Sequence, residues 1–185
     1  MLTSLFAAIV LAAAPQAQDA PIVTGANASE TAEALRLREA LAYSNPLPRG
    51  APTDDYPLVA WCDALVTGHA QLGETLTDGS AEDREIVRLG KLEAQDFRAA
   101  LAAAGPRQTP AARAAARAAA ELARSQWAPI LAQTDEAVRS QSFGLFFGLP
   151  GRCEHAARRI RENITTPPAT PAEVGLRSEG VDPAS

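Results

Sequence analysis

The stretch that decides the fold is YPLVAWCDALVTGHAQL, residues 56–72. Its long side chains, continued by one leucine beyond the stretch, recur at steps of four and three residues, which is the repeat of a helical seam. The members of this seam are Leu58, Cys62, Leu65, His69, Leu72 and Leu76. The spacing predicts a helix of about five turns. Because one cysteine and one histidine share the seam, the question is whether they are core residues or functional groups.

The composition of the 185-residue chain favours helices over sheet. Alanine, the best helix former, is abundant, whereas β-branched residues are sparse and aromatic residues make up only 5% of the chain. The net charge is −5, so a nucleic-acid-binding function is not expected. All basic residues except Lys91 are arginines, and this usage is typical of a GC-rich bacterial genome. We therefore expect an all-α protein of bacterial origin.

Residues 1–20 have the pattern of a secretory signal peptide. The apolar run from Leu5 to Ala14 is short, and it falls below the roughly 20 residues that a bilayer-spanning helix needs. No Lys or Arg precedes this run, so an amphipathic N-terminal helix is the alternative. We expect a periplasmic or secreted protein that has no transmembrane segment after signal cleavage.

Proline-rich stretches divide the chain into segments. NPLPRGAPTDD (45–55) separates a short first helix, opened by the capping-box pair Asn27 and Glu30, from the main body. The C-terminal stretch is polar and rich in proline, a composition typical of disorder. The predicted segments are a signal peptide at 1–20, an N-terminal appendage with a Pro-rich linker at 21–53, a helical bundle at 54–164 and a disordered tail at 165–185.

Start signals in the main body predict four long helices and one shorter helical segment. Pro129 is expected to kink or interrupt the third of these long helices. Short connections between amphipathic helices predict an antiparallel bundle of about four long helices. The predicted starts are Asp54 or Asp55, the capping box of Ser80 and Asp83, the pair Thr109-Pro110, residue 134 and Pro150.

The chain has two cysteines, Cys62 in the first long helix and Cys153 in the last. In an exported protein, two cysteines most simply form one disulfide. The first and last helices of an up-down bundle are neighbours, so the geometry permits this bond. Closing a loop of about 90 residues would stabilise the fold by roughly 4 to 5 kcal/mol. Free buried thiols and redox chemistry are the alternatives, although neither CxxC nor CxxCH occurs.

The spacing of the histidines argues against a metal site. His69 lies seven residues from Cys62, about 10 Å along a helix, which is too far for both side chains to bind one metal ion. His155 lies two residues from Cys153 and therefore points to a different helix face. We expect His69 to be a core residue bonded to a carboxylate or a carbonyl. Gly68 beside it would let another helix, or a flat ligand, approach the backbone.

An aromatic turn, SFGLFFGLPG (142–151), holds three of the five phenylalanines. One interpretation is an apolar plug that closes the bundle end over Trp61 and Trp127. Another is an adaptable apolar surface for a partner or a membrane interface. A further hypothesis is a pocket for a small apolar ligand or haem, and its candidate residues are His69, Trp61, Phe146 and Phe147.

The charged residues have interpretations that need no ligand. The pair Asp54-Asp55 lies at a helix start, where capping explains it better than acid/base catalysis. The basic cluster at residues 158–161 could contact anionic lipid headgroups or cell-wall polymer, but basic residues also favour a helix C-terminus. A row of arginines on the predicted helix that starts at Thr109-Pro110 could contact phosphate or an acidic partner, or form a solvated face. Its members are Arg113, Arg117 and Arg124.

No motif for catalysis is present, since the chain lacks GxSxG, a Walker loop, GxGxxG and HExxH. We predict an exported, non-catalytic protein that acts through contact with a protein partner or the envelope surface. Binding of a small apolar ligand or haem near His69 is the alternative, and a hydrolytic enzyme is the third hypothesis.

Overall fold

The protein is all-helical in the part of the chain that the computed structural model describes, residues 30–146 and 148–176. These residues form six α-helices and no strand, which confirms the all-α prediction. By its contacts the chain divides into Met1–Glu30 and Thr31–Ser185, and all six helices belong to the second unit. The helices are α1 (Ala32–Ser44), α2 (Asp55–Glu74), α3 (Ala81–Ala104), α4 (Pro110–Leu131), α5 (Glu136–Gly144) and α6 (Arg152–Glu162).

The short helix α1 contacts α6 and a 3-10 turn at Ala172–Val174. That turn lies within the segment 165–185 for which the sequence predicts disorder. The segment boundaries, including this disorder, stay predictions. Residues 177–185 and the predicted signal peptide at 1–20 lie outside the described residues.

The central helix is α2. Thirteen of its 20 residues are buried, and it packs against α3, α4, α5 and α6. An apolar surface on nearly every side is typical of a helix that other helices enclose. Leu58, Val59 and Leu72 are fully buried, and each such side chain stabilises the fold by about 1.5–3 kcal/mol. Even so, no helix in the described part of the chain has both the length and the apolar character needed to cross a bilayer.

Local capping signals explain where α3 and α4 begin. Ser80 and Asp83 form the predicted capping box, which is confirmed: the Ser80 hydroxyl accepts from the Asp83 N–H at 3.0 Å, and the Asp83 carboxylate accepts from the Ser80 N–H at 2.7 Å. Thr109 caps α4, and Pro110 stands at its first position, where a missing N–H costs nothing.

Two helix boundaries differ from the prediction. Thr31 caps α1 through its side chain, and Glu30 lies outside the helix, so the start expected from the Asn27–Glu30 pair is wrong; Asn27 itself is not among the described residues. The sequence predicts a kink or an interruption at Pro129, and the interruption is wrong, because α4 continues to Leu131. Pro129 stands in the last turn, where the proline removes a single helical hydrogen bond.

Small residues let α4 approach α2 closely. Ala116, Ala120 and Ala123 of α4 are buried. On the α2 side, a Cβ atom added at Gly68 would lie 2.2 Å from Cδ1 of the Trp127 indole. Of the two uses expected for Gly68, close approach of another helix is therefore the one observed, since the indole occupies the space that a side chain would need.

We expect Gly68→Ala to destabilise the protein. The new methyl group would overlap the Trp127 ring, and overpacking of this kind costs about 1–3 kcal/mol, against a gain of roughly 1 kcal/mol in helix propensity. Gly90→Ala is the matched control, because its Cβ would lie 3.4 Å from its nearest neighbour, Val66 Cγ2, so helix propensity should raise its stability. Urea denaturation measures both variants, and equal stabilisation by the two would contradict the close approach.

Candidate functional site

The two cysteines meet between α2 and α6. The sulfur atoms of Cys62 and Cys153 are 2.10 Å apart and the Cα atoms 6.1 Å apart, so the pair lies at disulfide distance. Exposure is 0% for Cys62 and 1% for Cys153. A bond here joins positions 91 residues apart in the sequence. Because both sulfur atoms are enclosed, the pair suits a structural role better than a catalytic one.

His69 lies in an aromatic cluster with residues of α4, α5 and the turn that follows α5. Its ring stacks on Phe143 and on Phe146, with 4.4 Å between ring centroids in each case, and the Trp127 ring lies at 6.0 Å. The His69 Nε2 atom is 3.1 Å from the Phe143 carbonyl oxygen. A carbonyl can only accept, so Nε2 carries the hydrogen and donates it. Burial lowers the pKa of His69, and the hydrogen bond opposes part of that shift.

The residues predicted for a ligand or haem pocket are brought together only in part. Phe146 contacts His69. Trp61 is buried, but it lies eight residues before His69 on α2, roughly 12 Å along the helix. Phe147 lies outside the described residues. Because the Phe143 and Phe146 rings already stack on His69, a flat ligand on these faces would have to displace one of them.

His155 does not form a metal site with Cys153, whose sulfur atom is at disulfide distance from that of Cys62. The His155 ring is buried, and its Nδ1 atom has no hydrogen-bond partner among the described residues. Burial lowers the pKa of His155. Within residues 30–146 and 148–176, no group of three or more His, Cys, Asp and Glu side chains is arranged to hold a metal ion.

A network of buried charges joins α1, the start of α2 and α6. The Arg159 side chain is enclosed, and its guanidinium donates to Glu39 at 3.2 Å and to Asp55 at 3.1 Å. It also donates to the Thr166 carbonyl, while Arg158 forms a second ion pair with Glu39 at 3.1 Å. A lipid or polymer contact, one interpretation of this basic cluster, is wrong for Arg159, because its charge is neutralised inside the protein.

Asp55 belongs to this network, although the sequence suggested a helix cap for the pair Asp54-Asp55. Asp54 occupies the N-cap position, and its side chain forms no capping hydrogen bond. The Tyr43 hydroxyl donates to the Asp55 carboxylate at 2.6 Å, and Arg152 lies over the Tyr43 ring, 4.4 Å from its centroid. Burial, together with the Asp55 hydrogen bond and charge, raises the pKa of Tyr43 far above its ordinary value. Sequence spacing could not reveal this role, because Arg159 is 104 residues from Asp55.

A groove of about 680 Å³ lies over α2, with α3 and α4 contributing to its walls. Its volume is typical of ligand-binding sites in proteins. Three of the lining residues are small and buried: Ala60 of α2 and Ala116 and Ala120 of α4. Tyr56 at the start of α2 and Leu101 of α3 add apolar surface.

The three arginines of the predicted row on α4 all line this groove. Arg113 donates to two backbone carbonyls just after α3, at 3.3 and 2.7 Å, so its role is structural. Arg124 pairs with Glu121 at 3.0 Å, and both side chains are more than half exposed. Arg117 is exposed and forms no hydrogen bond or ion pair with any described residue. Arg117 is therefore available to an incoming anion, whereas Arg124 would first have to give up its exposed pair with Glu121.

Asp63 is the groove's half-buried carboxylate. It accepts a hydrogen bond from the Thr67 hydroxyl at 3.3 Å and lies 3.8 Å from Arg98 of α3. Burial raises the pKa of Asp63, whereas Arg98, the Thr67 hydrogen bond and the charge of Arg124 lower it. Since Asp63 already has these partners, its charge is balanced from within the protein.

No family model matches the chain, and comparisons with curated proteins and with solved structures gave no match. Two candidate sites differ in character: the aromatic cluster around His69 is filled by protein side chains, and the groove over α2 is open.

We expect the native chain to be lighter by two hydrogen atoms, about 2 Da, than its reduced form in an intact-mass measurement. Oxidised and reduced wild type should differ in stability by roughly 4 to 5 kcal/mol, measured by urea denaturation. The comparison leaves the packing of Cys62 and Cys153 nearly unchanged, which a Cys→Ala variant would not. Two thiols that alkylate in the native protein without reductant would contradict the crosslink.

We expect Arg159→Met to destabilise the protein by about 1.5–3 kcal/mol, because Glu39 and Asp55 each lose a charge-assisted hydrogen bond, while Arg158 still pairs with Glu39 and Tyr43 still donates to Asp55. Arg161→Met is the matched control on the same helix. Arg161 is exposed, so its loss should change the free energy of unfolding by no more than about 0.5 kcal/mol. Thermal or urea denaturation compares the two, and similar losses would argue against the network.

Proposed function

We propose that this chain is an exported bacterial protein of the periplasm or the extracellular space that acts without catalysis, by binding a protein partner in the groove over α2. The observation that carries the proposal is the contrast between this open groove and the filled surroundings of His69. A contact protein needs an accessible surface with unsatisfied binding groups, and Arg117 supplies one.

Several features support export without establishing it. A cysteine pair at disulfide distance is compatible with an oxidising compartment, and residues 1–20 have the signal-peptide pattern. The arrangement that we propose for the main body is an antiparallel bundle of the long helices α2, α3 and α4 with α6. Such a bundle presents rigid helix faces, which suit recognition by contact.

The alternative function is binding of a small apolar ligand or haem beside His69. It requires Phe143 or Phe146 to leave the stack, and haem ligation through Nε2 would also require His69 to give up its hydrogen bond to the Phe143 carbonyl. An absorbance band in protein purified from its native host would favour this alternative over the groove.

The groove proposal predicts site-specific crosslinking. A photo-crosslinking amino acid at Ala118, an exposed residue that lines the groove, should capture one discrete partner protein in cells of the native host. The same substitution at Ala99, an exposed alanine of α3 outside the groove lining, is the matched control and should capture none. Mass spectrometry of the adduct identifies the partner, and cell fractionation locates it.

Equal adducts at both positions, or no adduct at Ala118, would refute the groove as a contact surface. Recovery of the uncleaved chain in the cytoplasm would refute export. Charge reversal at Arg117 tests the adduct further, because a specific partner should be lost with Arg117→Glu.

A further inference from the structure

We propose that the groove over α2 takes an acidic helical segment of the partner protein, with two of its carboxylates on Arg117 and Arg124. This inference rests on the proposed function and adds the chemical class of the partner. It follows from two properties of the groove: the spacing of Arg117 and Arg124 along α4, and the pairing of the groove's own carboxylates within the protein.

The spacing of the arginines matches a helix. Arg117 and Arg124 lie seven residues apart on α4, which places them on one face with about 10.5 Å between their positions along the axis. Two acidic residues seven positions apart on a partner helix beside α4 have the same separation and share a face. Each carboxylate can accept two hydrogen bonds from one guanidinium. The exposed pair of Arg124 with Glu121 is weak enough to be replaced.

The groove also offers apolar contacts to a bound segment. Ala60, Ala116 and Ala120 of the lining are already buried where α4 packs on α2, so a bound segment would contact the larger side chains of the lining. Tyr56 and Leu101 offer apolar contacts to a residue of the segment between its two acids. A flat lipid surface cannot enter a concave groove between two helices, so the geometry favours a peptide segment over a membrane.

The charges favour an acidic partner at short range. The whole chain has a net charge of −5, but exposed charges are largely screened beyond about 8 Å at physiological ionic strength. Arg117 forms no hydrogen bond or ion pair with any described residue, whereas Asp63 has Arg98 at 3.8 Å and a hydrogen bond from the Thr67 hydroxyl. Both carboxylates that line the groove, Asp63 and Glu121, thus have a partner in the protein, so Arg117 is the charged side chain of the lining that has none among the described residues.

The test is a titration of the purified full chain with a designed alanine-rich helical peptide that carries two glutamates seven positions apart. Amide chemical shifts in ¹H–¹⁵N spectra report where the peptide binds. We expect shifts for groove residues such as Ala60 and Ala120, and a dissociation constant that rises about three- to fivefold for Arg117→Ala, as expected for loss of one exposed ion pair. Arg161→Ala, an exposed arginine of α6, should bind as the wild type does.

Three results would overturn the inference. The first is equal binding of the same peptide with lysines in place of the glutamates. The second is the absence of groove shifts with the glutamate peptide, and the third is groove shifts only with inorganic phosphate or with phosphatidylglycerol vesicles. If any of these occurs while the Ala118 adduct persists in cells, the partner class is wrong and the contact function stands. If the glutamate peptide binds in the groove but no adduct forms in cells, the contact function is wrong, and the groove's preference for acidic segments stands.

Discussion

The enclosure of α2 is the constraint on which the rest of the structure depends. A helix with apolar residues on almost every face is stable in water only when other helices cover it, and α3, α4, α5 and α6 do so. The contacts that cover α2 differ between its sides. The Trp127 indole of α4 packs against Gly68, and Cys62 contacts Cys153 of α6. The side that carries Asp63 stays partly open. The proposed contact surface thus lies where the neighbouring helices leave α2 partly uncovered.

The long helices could be predicted because their signals are local. A capping residue and its N–H partner lie three positions apart, so Ser80 and Asp83 reveal the start of α3 without knowledge of the fold. The start of α1 is also marked by a local contact, because the Thr31 hydroxyl accepts from the Ala34 N–H, but the spacing of Asn27 and Glu30 predicts a different start. The effect of Pro129 depends on its distance from the helix end.

The candidate sites could be predicted by residue type but not by partner. Arg159 and Arg161 belong to one helix and look equivalent in the sequence, yet only Arg159 is buried. Its carboxylate partners, Glu39 and Asp55, lie 120 and 104 residues away. His69 could be predicted as a bonded core residue, but its acceptor is a backbone carbonyl 74 residues away. The groove depends on the placement of α3 and α4 around α2, and no motif encodes it.

Arg159 and Arg117 differ in whether the folded protein provides acceptors for the guanidinium. Arg159 is removed from water during folding, so it needs acceptors in the protein, and Glu39, Asp55 and the Thr166 carbonyl provide them. Its interaction energy therefore fixes α1 against α2 and α6, and no part of it is available to a partner. Arg117 keeps its hydration until another molecule arrives, so the energy of pairing its charge can appear as binding. In a protein whose net charge is −5, attraction for an acidic segment is confined to places where such arginines face a recess.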